Sequence, residues 1–264
     1  MHSSMQTTVR APRRIPQHRR SNARSARSTL PLLLVGTLLP LFGCQGISGP
    51  LPTSQVRIIH ASPDAGSLDV SQDSGPLAYN LGLGTISSYV PVATGNYGIT
   101  ADIAGTHQHL VSASSTFLEN AQYTVLISNT ANALQEVILK DQTQPAPAGQ
   151  VSLRFTDQST RAGAVDLYLV PTGSTITQVR PILTNFAFTQ NTGYINLAAG
   201  AYTLIAVPAG TTPTTASGTS YTGPAITYPA GAARTIVLID QQTGSTPGLQ
   251  AVIANDVDPT SVTN

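Results

Sequence analysis

The 264-residue chain contains one cysteine, no tryptophan and a single lysine, Lys140. One thiol excludes an intramolecular disulfide and a cysteine-rich metal set, so stability has to come from a buried core. No apolar run reaches the roughly 20 residues that a membrane-spanning helix needs. The longest, LPLLLVGTLLPLF, runs from Leu30 to Phe42 and is broken by Pro31 and Pro40. Also missing are a Gly-x-Ser-x-Gly nucleophile elbow, a glycine-rich phosphate loop leading into a helix, a Cys/His zinc set and an Asp-x-Asp-x-Asp-Gly calcium loop. With one lysine, a Ser-Lys dyad has little to draw on. No cofactor is expected.

What is present begins with an address. Arg10, Arg13, Arg14, Arg19, Arg20, Arg24 and Arg27 precede the apolar run with no acid among them, and GCQG follows it. That order of basic, apolar and small-residue segments reads as a signal peptide over 1–43. LFGC, ending at Cys44, resembles the lipobox of bacterial lipoproteins, which implies acylation of Cys44 and a stable membrane anchor. Gln45 after the cysteine, where an aspartate would retain the protein, favours the outer membrane. The leader takes seven of the 13 basic residues and none of the 12 acidic ones, leaving six against twelve and a net charge of −6. Nucleic acid and anionic surfaces, which need clusters of Lys and Arg, are poor partners for such a domain.

A repeat organises the remainder. RIIHASPDAGSLDV (57–70) aligns without a gap on RFTDQSTRAGAVDL (154–167), pairing Arg57 with Arg154, Ala65-Gly66 with Ala162-Gly163 and Asp69 with Asp166. Downstream, ATGNYGITADIAG (93–105) matches AAGAYTLIAVPAG (198–210), YTVLISN (123–129) matches RTIVLID (234–240), and LQEVILKD (134–141) matches LQAVIAND (249–256). The expected organisation is a tether over 44–54, a first module over 55–141, a proline-rich linker over 142–149, a second module over 150–258 and a tail over 259–264. An eight-residue linker, QTQPAPAG, permits packed or independent modules.

Within each module the pattern has period two. Val56, Ile58 and His60 share one face of a strand, and Arg57 and Ile59 the other. Short runs of Val, Ile, Thr, Tyr and Leu, separated by Gly, Pro, Asn and Asp turns, predict an all-β fold of two tandem immunoglobulin-like β-sandwiches. VRIIHASPDAGSLDV, followed by GNYGITADIAG and YTVLISN, resembles the bacterial DUF4397 domain, with the second module a looser match in which FTDQSTRAG replaces the His-Ala-Ser-Pro-Asp core. The resemblance implies an extracytoplasmic, cell-envelope setting and brings no activity with it.

Because Arg57 and Asp69 recur as Arg154 and Asp166, while His60 becomes Asp157 and Asp64 becomes Arg161, the shared pair is read as structural. Each arginine is expected to bridge its own module's aspartate between neighbouring strands. Ser62 to Gly66 reads as a turn. His60 with Asp64 is the candidate for a functional pair, a base and its orienter. His107 and His109, two apart on a strand, are weak metal candidates that lack an evident third ligand. The stretch 211–226 is an insertion in the second module, either a binding loop or a polar connection. Together these readings point to an envelope lipoprotein that binds, adheres or assembles, with an envelope polysaccharide or protein as partner. The alternative is a small extracytoplasmic hydrolase or metal-dependent enzyme centred on His60 and Asp64.

Overall fold

The computed structural model describes residues 52–73, 75–213, 219–242 and 248–259. The leader, Cys44, most of the tether, part of the 211–226 insertion and residues 260–264 lie outside them. Two short 3-10 turns apart, every regular element among the described residues is a strand.

In chain order the first module contains β1 (Thr53–His60), β2 (Leu68–Gln72), β3 (Gly75–Leu81), β4 (Val90–Ala93), β5 (Gly95–Ile103), β6 (His109–Phe117), β7 (Gln122–Ser128) and β8 (Gln135–Lys140). The second contains β9 (Gln150–Asp157), β10 (Val165–Pro171), β11 (Leu183–Phe186), β12 (Ile195–Ala198), β13 (Gly200–Pro208), β14 (Tyr221–Tyr228), β15 (Ala233–Asp240) and β16 (Leu249–Val257). Sheets of order β4-β1-β7-β8 and β3-β2-β5-β6 make the first sandwich, and β12-β9-β15-β16 and β11-β10-β13-β14 the second. Adding eight to each strand number converts one module into the other, so both have one topology. Within it, β1 runs parallel to β7 and β9 parallel to β15, while the remaining pairings are antiparallel.

Alternation sorts the side chains between two cores. Val56 and Ile58 join Leu68, Val70, Ile99, Phe117 and Val125 inside the first sandwich. Leu153 and Phe155 join Leu167, Leu204 and Ile236 inside the second. A half-exposed strand would leave the other face of β1 wet, yet Arg57, Ile59 and Ala61 are buried as well. They face a third core in which Ile59, Ala61 and Leu126 of the first module meet Val237, Ile239 and Ala254 of the second. Strands buried on both faces are what a parallel central pair demands. Each large side chain in this third core adds roughly 1.5–3 kcal/mol of burial, and Ser48–Asn264 forms one compact unit.

The linker belongs to this unit. Ala146 is buried and its N–H donates to the Gly231 carbonyl at 2.9 Å, while the Gln142 N–H donates to the Tyr194 hydroxyl at 3.1 Å. The 211–226 insertion is not wholly a loop, because Tyr221 to Ile226 lies in β14 and pairs with β13 along the sheet edge.

Candidate functional site: the module junction

The arginines predicted to bridge within their own modules bridge between modules instead. Arg57 pairs with Asp256, and Arg154 pairs with Asp141. The expected Arg57–Asp69 and Arg154–Asp166 pairs do not form. Both members of each pair do point away from a core, but they sit in opposite sheets of one sandwich, so pointing away from the core means pointing away from each other. Asp69 instead accepts from the backbone N–H of Asn80 (2.7 Å) and Gly105 (2.8 Å). Asp166 repeats this with Asn185 (2.8 Å) and Gly210 (3.0 Å). All four of those residues have positive φ, from 48° to 75°, so each aspartate holds a tight strand irregularity and a hairpin turn.

Around the crossed ion pairs the two modules contribute the same set of groups. Arg57 Nε donates to Thr124 Oγ1 (2.9 Å) and Nη1 to the Asn255 carbonyl (2.7 Å). Arg154 does the same with Thr235 Oγ1 (3.1 Å) and the Lys140 carbonyl (2.9 Å). Tyr89 donates to Asp141 Oδ2 at 2.7 Å and Tyr194 to Asp256 Oδ2 at 2.9 Å, and each guanidinium lies over a tyrosine ring, 4.7 Å and 4.9 Å from the centroid. Burial, followed by the neighbouring carboxylates, pushes both phenol pKa values up, so the hydroxyls stay protonated and donate. Burial also pushes the Asp256 carboxyl up, against the pull of Arg57. Two arginines and two aspartates make the cluster neutral. Buried pairs of this kind hold register more than they add net stability.

His60 is fully buried at the end of β1, with Nδ1 3.0 Å from the Leu81 carbonyl. A carbonyl only accepts, so Nδ1 carries the proton and Nε2, buried without a partner, is the bare nitrogen. Desolvation lowers its pKa against the backbone carbonyls of Leu81 and Gly82. Asp64 turns elsewhere: its Oδ1 accepts from the Ala131 N–H (2.8 Å) and stands 3.5 Å from Ser62 Oγ. The structure therefore places His60 and Asp64 in one region without joining them by a hydrogen bond. On the β5–β6 hairpin, His109 pairs with Asp102 and His107 is exposed. Among the described residues no three His, Cys, Asp or Glu side chains converge on a metal position.

Beside this turn a cleft of about 720 Å³ opens between the modules. One wall is Ser62, Asp64, Gly66, Ser67, Gly82 and Leu83; the other is Gln241, Gln242 and Gln250. Sequence reasoning reached Ser62 to Gly66 of the first wall as a turn and missed Gly82, Leu83 and the second wall, which comes from a distant segment of the other module. It also missed Asp141, Asp256, Tyr89 and Tyr194. A signal for the aspartates was present, since the paired segments LQEVILKD and LQAVIAND both end on one.

Residues 54–168 match the model of a domain of unknown function, DUF4397. Over this stretch the chain is similar to the DUF4397 domain. The match runs from the second residue of β1 through β9 and into β10, crossing the linker and ending at Tyr168, so it spans both sides of the junction. No curated protein matches the chain. Among solved structures it is similar to an α-glucan-binding streptococcal virulence factor, with 12% identity over 58% of this chain and 80% of that one and a TM-score of 0.20. It is also similar to the family CBM26 module CBMbc of Eubacterium rectale Amy13K, solved with maltoheptaose, with 8% identity over 78% of this chain and 98% of that one and a TM-score of 0.23. TM-scores this low do not establish a common fold.

Proposed function

We propose that this protein is a lipid-anchored component of the bacterial cell envelope that works by binding or assembly and not by catalysis. The observation that carries the reading is the junction cleft, whose two walls come from different modules held together by a buried, charge-balanced cluster. A concave surface built across a rigid junction is a common place for a ligand. The recurrent charged residues Arg57, Arg154, Asp69 and Asp166 are engaged in holding the modules and their turns. Acylation at Cys44 and an outer-membrane address complete the proposal and rest on the leader and on Gln45.

Two experiments test it. Labelling the full chain with an alkyne-bearing palmitate in a bacterial host should mark the wild type and leave Cys44→Ser unlabelled, and label on the variant would refute the anchor. Purified residues 45–264, incubated with envelope polysaccharide, peptidoglycan and solubilised envelope protein, should be retained by one of these fractions. Retention by none would refute the binding role. Turnover of an ester or glycoside by the protein, abolished in His60→Ala with folding intact, would revive the hydrolase alternative.

A further inference from the structure

The two junction ends are related by the internal repeat, yet the turn that lines the cleft differs in sequence from its counterpart. Gly84 donates its N–H to the His60 carbonyl at 2.8 Å, and Thr189 donates to the Asp157 carbonyl at 2.9 Å, so Gly82-Leu83-Gly84 and Ala187-Phe188-Thr189 occupy the same turn in the two modules. The cleft is therefore lined by a glycine and a leucine where the other module has alanine and phenylalanine. Charge differs as well. Asp64 edges the cleft, whereas its counterpart Arg161 is bound back onto Asp240, 3.7 Å away, and onto the Gln241 carbonyl.

We infer that this cleft binds a short segment of neutral oligosaccharide. Among the described residues its polar lining consists of one carboxylate, two serine hydroxyls and three glutamine amides, with no Lys, Arg or His. Sugar hydroxyls both donate and accept, and amides and a carboxylate supply the complementary mixture. Leu83 adds one apolar wall for the ring face. Asp64 repels anionic sugars and phosphates, and Arg161, which reaches the carbonyl of the cleft residue Gln241, is held against Asp240. A volume of about 720 Å³ lies within the range of small-ligand sites.

This inference rests on the binding role proposed above, and its test separates the two. Purified residues 45–264 are titrated with maltotriose, cellotriose and chitotriose and with a galacturonic acid trimer, alongside Gly82→Ala/Leu83→Phe and Gln250→Ala. The double variant installs what the second module already carries in the same turn, and a Cβ on Gly82 would meet nothing closer than Thr85 Cγ2 at 4.0 Å. Leu83 also packs against the third core, so thermal denaturation checks the fold of this variant, and Gln250→Ala, which is not part of that core, tests the site independently. At least one neutral trimer is expected to bind, each variant losing about ten-fold in affinity or more, with the anionic trimer weakest. Neutral-sugar binding unchanged in both variants, or tighter binding of the anionic trimer, would overturn the site or its ligand class. Failure of every sugar while an envelope protein fraction is retained would overturn the inference alone. Failure of all fractions would remove the binding role itself.

Discussion

Arg57 and Asp256 lie 199 positions apart and meet in a buried ion pair that crosses from one sandwich to the other. Arg154 and Asp141 repeat it in the opposite direction. Removing one partner leaves a charge buried without its counterion, so Arg57→Ala and Asp256→Ala should each destabilise by about 3–5 kcal/mol. The double variant should cost less than the sum, with a coupling of about 1–3 kcal/mol. Urea denaturation of the single and double variants measures it, and strictly additive losses would show that the pair does not act as a unit.

Asp69 and Asp166 should behave alike because each holds two backbone N–H groups. Asp69→Ala and Asp166→Ala should each cost about 1–2 kcal/mol. Amide hydrogen exchange should speed up at Asn80 and Gly105 in the first variant and at Asn185 and Gly210 in the second. For Asp69 the two N–H donors hold the carboxyl below its ordinary value, so its contribution is present above the ordinary carboxylate pKa and is lost as pH falls through the lowered one.

Glu136 has the opposite sign. Both of its carboxylate oxygens are buried, and burial pushes its pKa up to about 7 against the pull of the Ala113 backbone N–H. The protonated acid is the form the fold prefers, so stability from this group is full below the unfolded value near 4.5 and is lost as pH rises through about 7. Glu136→Gln should remove that slope and stabilise the protein at pH 8 by about 1–2 kcal/mol, allowing for the solvent that screens a half-buried group. A stability profile between pH 4 and 8 unchanged by the substitution would refute this.

Thr189 is a β-branched residue with φ of 71°, in the turn where the first module uses Gly84 with φ of 73°. Left-handed backbone costs a β-branched residue about 1–2 kcal/mol, part of which is offset by the greater unfolded-state entropy of glycine. Thr189→Gly should raise stability by up to about 1 kcal/mol. Gly84→Ala should lower it, because alanine is strained at a φ of 73°; its Cβ would make only ordinary contacts with Gln250, Ile239 and Val252 of the other module at 3.5–3.6 Å. Thermal denaturation of both variants checks the pair.

Much of the fold was legible. Val56, Ile58, Leu153 and Phe155 face their own cores as period two requires, and the repeated segments fall on corresponding strands. Arg57 and Ile59 were placed on the far face, but nothing in a strand pattern says what covers that face. His60 was visible as a titratable group in a turn-proximal strand; that its Nδ1 goes to Leu81 and not to Asp64 depends on where β3 ends. The cleft was half legible, since Ser62 to Gly66 reads as a turn while Gln241, Gln242 and Gln250 carry no motif.

Local chemistry was determined by the sequence alone. Alternation gave each strand its faces, turn residues bounded the strands, and the repeat implied two like modules. Tertiary structure decided which charges meet. An arginine facing away from its own core satisfies its five donors only when another surface is brought against it, and that surface belongs to the other module, well over a hundred residues away for Arg57. Docking also made the cleft, by bringing Gln241, Gln242 and Gln250 of one module against Ser62, Gly82 and Leu83 of the other, a wall that exists only once the two modules meet.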